Sequence, residues 1–378
     1  GNGGGTWSKL QYNLPTVPVH DIRIHPREND LVIGTHGRGI FIIDDITPLE
    51  KLADADRAGK FYLFPVKPTT LFNYNGSIPG GLRGAGALGE RSFSAPNPPF
   101  GSTLTYYVKD SLPRGRALTL AIFDSTGKRI RDLTVNTKPG LHRATWDLRL
   151  AAPYYNPTPA TGRGGRGGGG GNNGQPQGAF VLPGRYVARL TMAGRGDSIA
   201  ASSLETPVIV NADPLIPLNP ADYQALHAFR VTAAEQQARV QAVVRSAEVI
   251  KEEMTEVRNA LKSVQGSDSL SRQVNSVDRE IDSILKAVRG DPNGAPRDAD
   301  DKNKYRPSIQ ERVNQVAGEI GNVTSQPTQV QRDALDTAMK DLAVQTARLN
   351  TLLTTRVPAL NKALDAAGVP WTVGRSVK

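Results

Sequence analysis

The chain of 378 residues contains no cysteine. That excludes a disulfide framework and every thiolate metal site. Histidine is scarce as well: five residues, His20, His25, His36, His142 and His227, with no two at the i, i+4 spacing of a helical metal pair. His20 and His25 flank a predicted strand at odd spacing, which sends them to opposite faces. No run of eighteen apolar residues occurs, so the sequence predicts no membrane-spanning helix. The opening residues also lack the charged and apolar regions of a signal peptide. Gly1 instead reads as part of a turn between strands, and the expectation is a processed product whose gene begins upstream.

What is present suits folded, multidomain material. Hydrophobic residues make up 38% and charged residues 22%, an ordinary globular balance, and the length exceeds what one compact core holds. The net charge of +10 is uneven. Residues 1–220 carry 24 Lys and Arg against 16 Asp and Glu, a balance of +8, and residues 221–378 carry 22 against 20, a balance of +2. The basic half suits an acidic protein face or an anionic headgroup layer. Nucleic acid is the weakest partner, because the arginines are scattered through strands and turns without interleaved aromatics.

Hydrophobic periodicity divides the chain into three parts. Residues 1–60 alternate short apolar runs (Thr6–Leu10, Val19–His25, Asp30–Thr35, Gly39–Asp44) with turn signals, as the strands of one antiparallel sheet do. Residues 61–213 hold seven strand-like runs, at Lys60–Phe64, Thr103–Val108, Leu118–Phe123, Ile130–Val135, His142–Leu148, Gly184–Met192 and Glu205–Val210, a spacing that predicts a β-sandwich. Two Gly/Pro-rich insertions interrupt them, at 73–100 and 162–178. The second reads GRGGRGGGGGNNGQPQG and can bury almost nothing. From Asn219 to the end of the third part, 214–378, the period changes to 3–4. Leu226, Phe229, Ala233, Val240, Val243, Ala247, Ile250, Met254, Val257, Leu261 and Val264 form the first stripe, interrupted only by Gln236. Two shorter stripes follow, and a last one passes Leu335, Ala338, Leu342, Leu349 and Leu352 before shifting register to Leu353, Val357, Leu360 and Leu364. The expectation is an antiparallel four-helix bundle with two long helices.

Several stretches resemble known modules. Asn2-Gly3-Gly4-Gly5-Thr6-Trp7 resembles the back half of an Asp-box, the turn motif of BNR repeats. Val19–Asp45, VHDIRIHPRENDLVIGTHGRGIFIIDD, resembles the closing blade of bacterial sortilin-like, BNR-repeat β-propeller proteins that are often labelled glycosyl hydrolases. The order IFDSTGKRIRDL, GLHRATWDL, LPGRYVARL resembles the Ig-like module that follows such propellers, with Trp146 and Tyr186 as core aromatics. The resemblance implies a multidomain β plus α chain: terminal propeller-blade strands, an Ig-like antiparallel β-sandwich and an antiparallel helical bundle.

Side chains able to do chemistry read more simply as structure. His36-Gly37-Arg38-Gly39, beside Asp44-Asp45, could supply a base and an anion clamp, but a hairpin turn needing two glycines accounts for it. Glu252, Glu253 and Glu256 flank the buried stripe of a helix and suit surface ion pairing better than a carboxylate pair for glycoside hydrolysis. Asp291, Asp298, Asp300 and Asp301 lack the spacing and the closing glutamate of a calcium loop. The glycine run lacks the Gly-Lys-Ser/Thr of a phosphate loop.

The reading that emerges is a non-catalytic, extracytoplasmic scaffold or interaction subunit with no metal and no cofactor. Arg83, Arg91, Arg163 and Arg166, two in each insertion, are its candidate partner-binding residues. The expected partner is a membrane-embedded complex at its periplasmic face, with anionic headgroups as possible additional contacts. Resemblance by setting points to the extrinsic subunit of a photosynthetic reaction-centre and light-harvesting complex. The alternative is the C-terminal accessory region of a carbohydrate-active or carbohydrate-binding propeller protein.

Overall fold

The computed structural model describes residues 5, 7, 14, 16–72, 99–153, 178–194, 202–216, 219–291, 306–321, 323 and 325–375. The chain divides into two compact units: Gly1–Pro68 with Ser102–Trp146 and Arg185–Ile209, and Thr69–Gly101 with Asp147–Gly184 and Val210–Lys378. Its strands are β1 (Val19–Ile24), β2 (Leu31–Thr35), β3 (Ile40–Ile43), β4 (Phe61–Leu63), β5 (Thr69–Leu71), β6 (Ser102–Val108), β7 (Arg116–Phe123), β8 (Arg129–Leu133), β9 (Gly140–Trp146), β10 (Gly184–Gly194) and β11 (Ser202–Ala212).

The first unit is mainly β. A three-stranded antiparallel meander, β1-β2-β3, leads into two short helices, α1 (Thr47–Glu50) and α2 (Leu52–Ala58). A second three-stranded sheet has the order β4-β6-β9. In β7 and β10 the two-residue period decides what is inside: Leu118, Leu120 and Ile122 are buried on one strand and Tyr186, Ala188, Leu190 and Met192 on its partner. Trp146 is fully buried, its ring centroid 5.2 Å from that of Tyr186 in edge-on packing. The β7–β8 turn closes on Asp124. Its Oδ1 accepts from the Thr126 amide (2.9 Å), the Thr126 hydroxyl (2.6 Å) and the Lys128 amide (2.9 Å), and Gly127 supplies the left-handed φ of 83°. The hydrogen bond from Thr126, aided by Lys128, holds the Asp124 carboxyl below its usual range.

The expected β architecture is not what forms. An Ig-like sandwich closes two antiparallel sheets face to face. Here the largest sheet, of order β5-β11-β10-β7-β8, is open and curled like a half-barrel, and its edge strand β5 runs parallel to β11, with Val210 opposite Thr69. The strands exist roughly where alternation places them, but β4 and β5 are only three residues long, and their partners lie far away in sequence. The terminal propeller-blade strands are corrected too: the described residues 19–43 make an open three-stranded sheet and no closed propeller.

The second unit contains a helical bundle. Helix α3 (Pro220–Leu261) has 42 residues and, at 1.5 Å per residue, is about 60 Å long. Asn219 caps it, accepting from the Asp222 amide at 2.9 Å, and Pro220 sits in the first turn, where its missing N–H costs nothing. Helices α4 (Asp268–Arg289), α5 (Ile309–Gly321), α6 (Gln329–Thr351) and α7 (Val357–Ala366) follow. Side-chain pairs fix the directions. Arg258 meets Asp278 (2.6 Å), and Glu248 meets Arg289 (2.7 Å), so α3 and α4 are antiparallel. By the same logic Arg230–Ile320 with Gln237–Asn314 sets α5 antiparallel to α3, and Arg312–Asp341 with Glu319–Gln331 sets α6 antiparallel to α5. Ile250, Met254, Ile281, Ile284, Val313, Leu342 and Leu364 are among the buried residues at the centre.

Between α6 and α7 the helix widens into one π turn, Leu352–Arg356, where the Val357 amide donates to the Leu352 carbonyl five residues back. Pro358 explains the place. It has no N–H and its ring would press on the carbonyl four residues earlier, a conflict that a wider turn relieves. The extra residue rotates the apolar stripe, so that Leu352 is buried, Leu353 is exposed, and Val357, Leu360 and Leu364 return to the core.

Candidate interaction surface

Meander β1-β2-β3 combines apolar composition with exposure. Cross-strand partners fix which side chains share a face: Ile22 stands opposite Ile33, Ile24 opposite Leu31, and Ile33 and Leu31 opposite Phe41 and Ile43. The other face carries Arg23, Val32 and Ile42 in one row and Asp21, Gly34 and Ile40 in the next. Only Ile33 is buried. Ile22 and Ile24 are 57% and 53% exposed on the first face, and Ile40 and Ile42 are 71% and 59% exposed on the second. Both faces therefore offer aliphatic surface to solvent. A three-stranded sheet normally buries one face, and contiguous exposed aliphatics mark an interaction site.

Local hydrogen bonds define the turns of this sheet. Gly37 and Gly39 adopt φ of 73° and 79° in the β2–β3 turn, and the Thr35 amide and hydroxyl both donate to the Gly39 carbonyl (3.1 and 2.7 Å). The rings of His20 and His36 approach to 5.0 Å between centroids, and the His36 amide donates to the Pro18 carbonyl (3.0 Å). In the β1–β2 turn the Glu28 amide donates to His25 Nδ1, and Arg27 hydrogen-bonds to the Glu28 carboxylate and lowers its pKa. At the far end Arg143 of β9 donates to the Asp44 carbonyl at 2.5 Å. Thus His36 and Arg38 stand in an exposed hairpin turn, while Asp45 is spent on the backbone of Thr47 and on Lys67. Among the described residues there, no base, nucleophile and anion clamp are brought together.

The remaining sequence candidates fall elsewhere. Arg83, Arg91, Arg163 and Arg166 lie outside the described residues, as do both insertions except Pro99–Phe100 and Gly178. Glu252 and Glu256 are exposed on α3. Glu253 is half-buried, and burial raises its carboxyl pKa. Asp291 pairs with Lys286 at 2.7 Å, and Asp298, Asp300 and Asp301 lie outside the described residues. Among the described residues no three His, Asp or Glu side chains gather as metal ligands. No described helix is long and apolar enough to cross a membrane.

One cluster in the second unit carries no signal in the sequence. The Arg149 guanidinium lies 3.6 Å over the Phe180 ring, and that of Arg230 lies 5.5 Å from its centroid. His227 Nδ1 is 2.7 Å from the Phe180 carbonyl. Arg230 donates to the carbonyls of Ile320 (2.9 Å) and Val323 (2.6 Å), so a cation from α3 caps the end of α5. Burial, and secondarily the Arg149 charge, lower its pKa to about 10, still charged at neutral pH. Its Nε and one terminal nitrogen are engaged by carbonyls, which makes the cluster a structural clasp.

No known protein family, curated protein or solved structure matches this chain. What bears on function is the surface itself.

Proposed function

We propose that this chain is a non-catalytic interaction subunit that acts outside the cytoplasm and joins a larger, membrane-associated protein assembly through the β1-β2-β3 sheet. The supporting observation is the double-sided aliphatic exposure of Ile22, Ile24, Ile40 and Ile42 on a small sheet. Water gains nothing from four ordered isoleucines, whereas a partner that covers them recovers roughly 1.5–3 kcal/mol for each fully buried side chain. Placement outside the cytoplasm follows the resemblance of Val19–Asp45 to extracytoplasmic bacterial proteins. Arg83, Arg91, Arg163 and Arg166 serve in this reading as auxiliary cationic contacts for acidic or headgroup groups on the partner. The test is the double variant Ile40→Lys, Ile42→Lys, expressed in the native host. It should fold with an unchanged circular dichroism spectrum yet leave the membrane fraction at moderate salt. A variant that stays attached as firmly as the parent protein would defeat the proposal.

A further inference from the structure

The two edges of the exposed sheet differ. In an antiparallel ladder, residues whose N–H and C=O face the neighbouring strand alternate with residues whose groups face outward. The Thr35 amide donates to the Gly39 carbonyl, and from that pair the register makes Ile33–Phe41 and Leu31–Ile43 the hydrogen-bonded pairs. The backbone groups of Ile40 and Ile42 therefore point away from β2. On the opposite strand the His25 amide donates to the Asp30 carbonyl, which by the same alternation turns the groups of Ile22 and Ile24 outward.

The β1 edge is defended. Asp21 Oδ1 accepts the outward Ile22 amide at 2.9 Å, Arg23 pairs with that carboxylate at 3.0 Å, and a bulge between Val19 and Asp21 breaks the ladder. Charges and bulges are the usual protection of an edge strand. The β3 edge has neither. Ile40–Ile43 contains no charged residue, and among the described residues the outward N–H and C=O of Ile40 and Ile42 have no hydrogen-bond partner. The next outward carbonyl, that of Asp44, is taken by Arg143, so the open stretch has a defined end.

We propose that the open edge of β3 receives an extended peptide segment of the partner as a fourth strand. This deepens the interaction reading above and rests on it. The recognised chemistry is backbone donors and acceptors facing Ile40 and Ile42, with β-branched aliphatic side chains continuing the rows of those two residues, the pattern of strand addition at a sheet edge. A flat apolar partner would cover the isoleucines and leave these backbone groups unpaired.

The probe is a capped, fluorescein-labelled heptapeptide of alternating valine and threonine, titrated with the full chain by fluorescence anisotropy. Ile42→Ala removes only the side chain and should weaken binding a few-fold. Ile42→Pro also removes the outward N–H, which β2 does not use, and should weaken binding by at least tenfold relative to Ile42→Ala. Slow hydrogen exchange at Phe41 and Ile43, whose amides face β2, would show that the proline variant keeps its sheet. A peptide N-methylated on every amide has no donor on either edge and should not bind. Absence of binding to the parent chain, equal binding by Ile42→Pro and Ile42→Ala, or undiminished binding of the methylated peptide would each overturn strand addition. If those results came while Ile40→Lys, Ile42→Lys still abolished membrane attachment, the surface reading would stand and only its strand mechanism would fall. Peptide capture without any effect of the lysines on attachment would instead uphold strand addition and overturn the role of this sheet in membrane attachment.

Discussion

Two neighbouring residues on α3 allow a test of what holds the bundle together. Ile250 is 2% exposed, and Val249, one residue earlier on the same helix, is 38% exposed. Replacing Ile250 by aspartate removes about 1.5–3 kcal/mol of side-chain burial. It also places a carboxyl group among Val, Leu and Ile side chains, where a charge without a partner costs several kcal/mol more and is relieved only by staying protonated. The sum, about 4–6 kcal/mol, approaches the whole stability of a typical domain, about 5–15 kcal/mol. Val249→Asp adds the same charge where water still reaches it and should cost about 1 kcal/mol or less. Urea unfolding of the full chain, followed at 222 nm, reads both. The defect of Ile250→Asp should also depend on pH in a defined direction. The buried carboxyl binds its proton more tightly in the folded than in the unfolded state, so the variant loses stability as pH rises above the ordinary aspartate range and recovers part of it below. Equal penalties for Val249→Asp and Ile250→Asp, or a defect that does not change with pH, would refute the burial argument.

Two further substitutions probe contacts outside the apolar stripe. Arg230→Met leaves the Ile320 and Val323 carbonyls without their donor and should destabilise the bundle by about 1–3 kcal/mol in urea, with Arg230→Lys recovering only part because one ammonium reproduces the fork poorly. Burial raises the Glu253 pKa, so the folded state favours its protonated form and the ionised form weakens the fold as pH rises. Glu253→Gln should therefore be more stable than the parent at pH 7, an advantage that fades as pH falls through the glutamate range in thermal melts.

Sequence and structure agree best where one period governs a long segment. The 3–4 spacing of Ala233, Val240, Val243, Ala247, Ile250, Met254, Val257 and Leu261 marks residues that are buried, because a helix must hide one stripe whatever its partner is. Even the register break before Val357 is visible, although the buried residue at the π turn is Leu352 and not Leu353. Strands were legible by alternation, but their pairing was not. That β5 lies parallel to β11, and that the large sheet stays open, depends on contacts between distant segments that no local pattern encodes. This is why the sandwich expectation failed. The exposed sheet shows a related limit: Ile22, Ile24, Ile40 and Ile42 read as ordinary strand residues, and only the register and their exposure reveal that, among the described residues, both faces carry exposed isoleucines and one edge has no pairing strand. The Arg149–Phe180–Arg230 clasp leaves no periodic trace at all, since it joins single residues from a bridge and a helix.

The central claim, attachment through the β1-β2-β3 sheet, is tested most directly by carbene footprinting of the membrane particle that the proposal predicts against the same protein released from it. Ile22, Ile24, Ile40 and Ile42 should be labelled strongly in the released protein and several-fold less in the particle, while the exposed helix residues Val330 and Val344 keep their labelling in both. Unchanged labelling of the four isoleucines, with protection of Val330 and Val344 instead, would contradict the account and make the helical bundle the attachment surface.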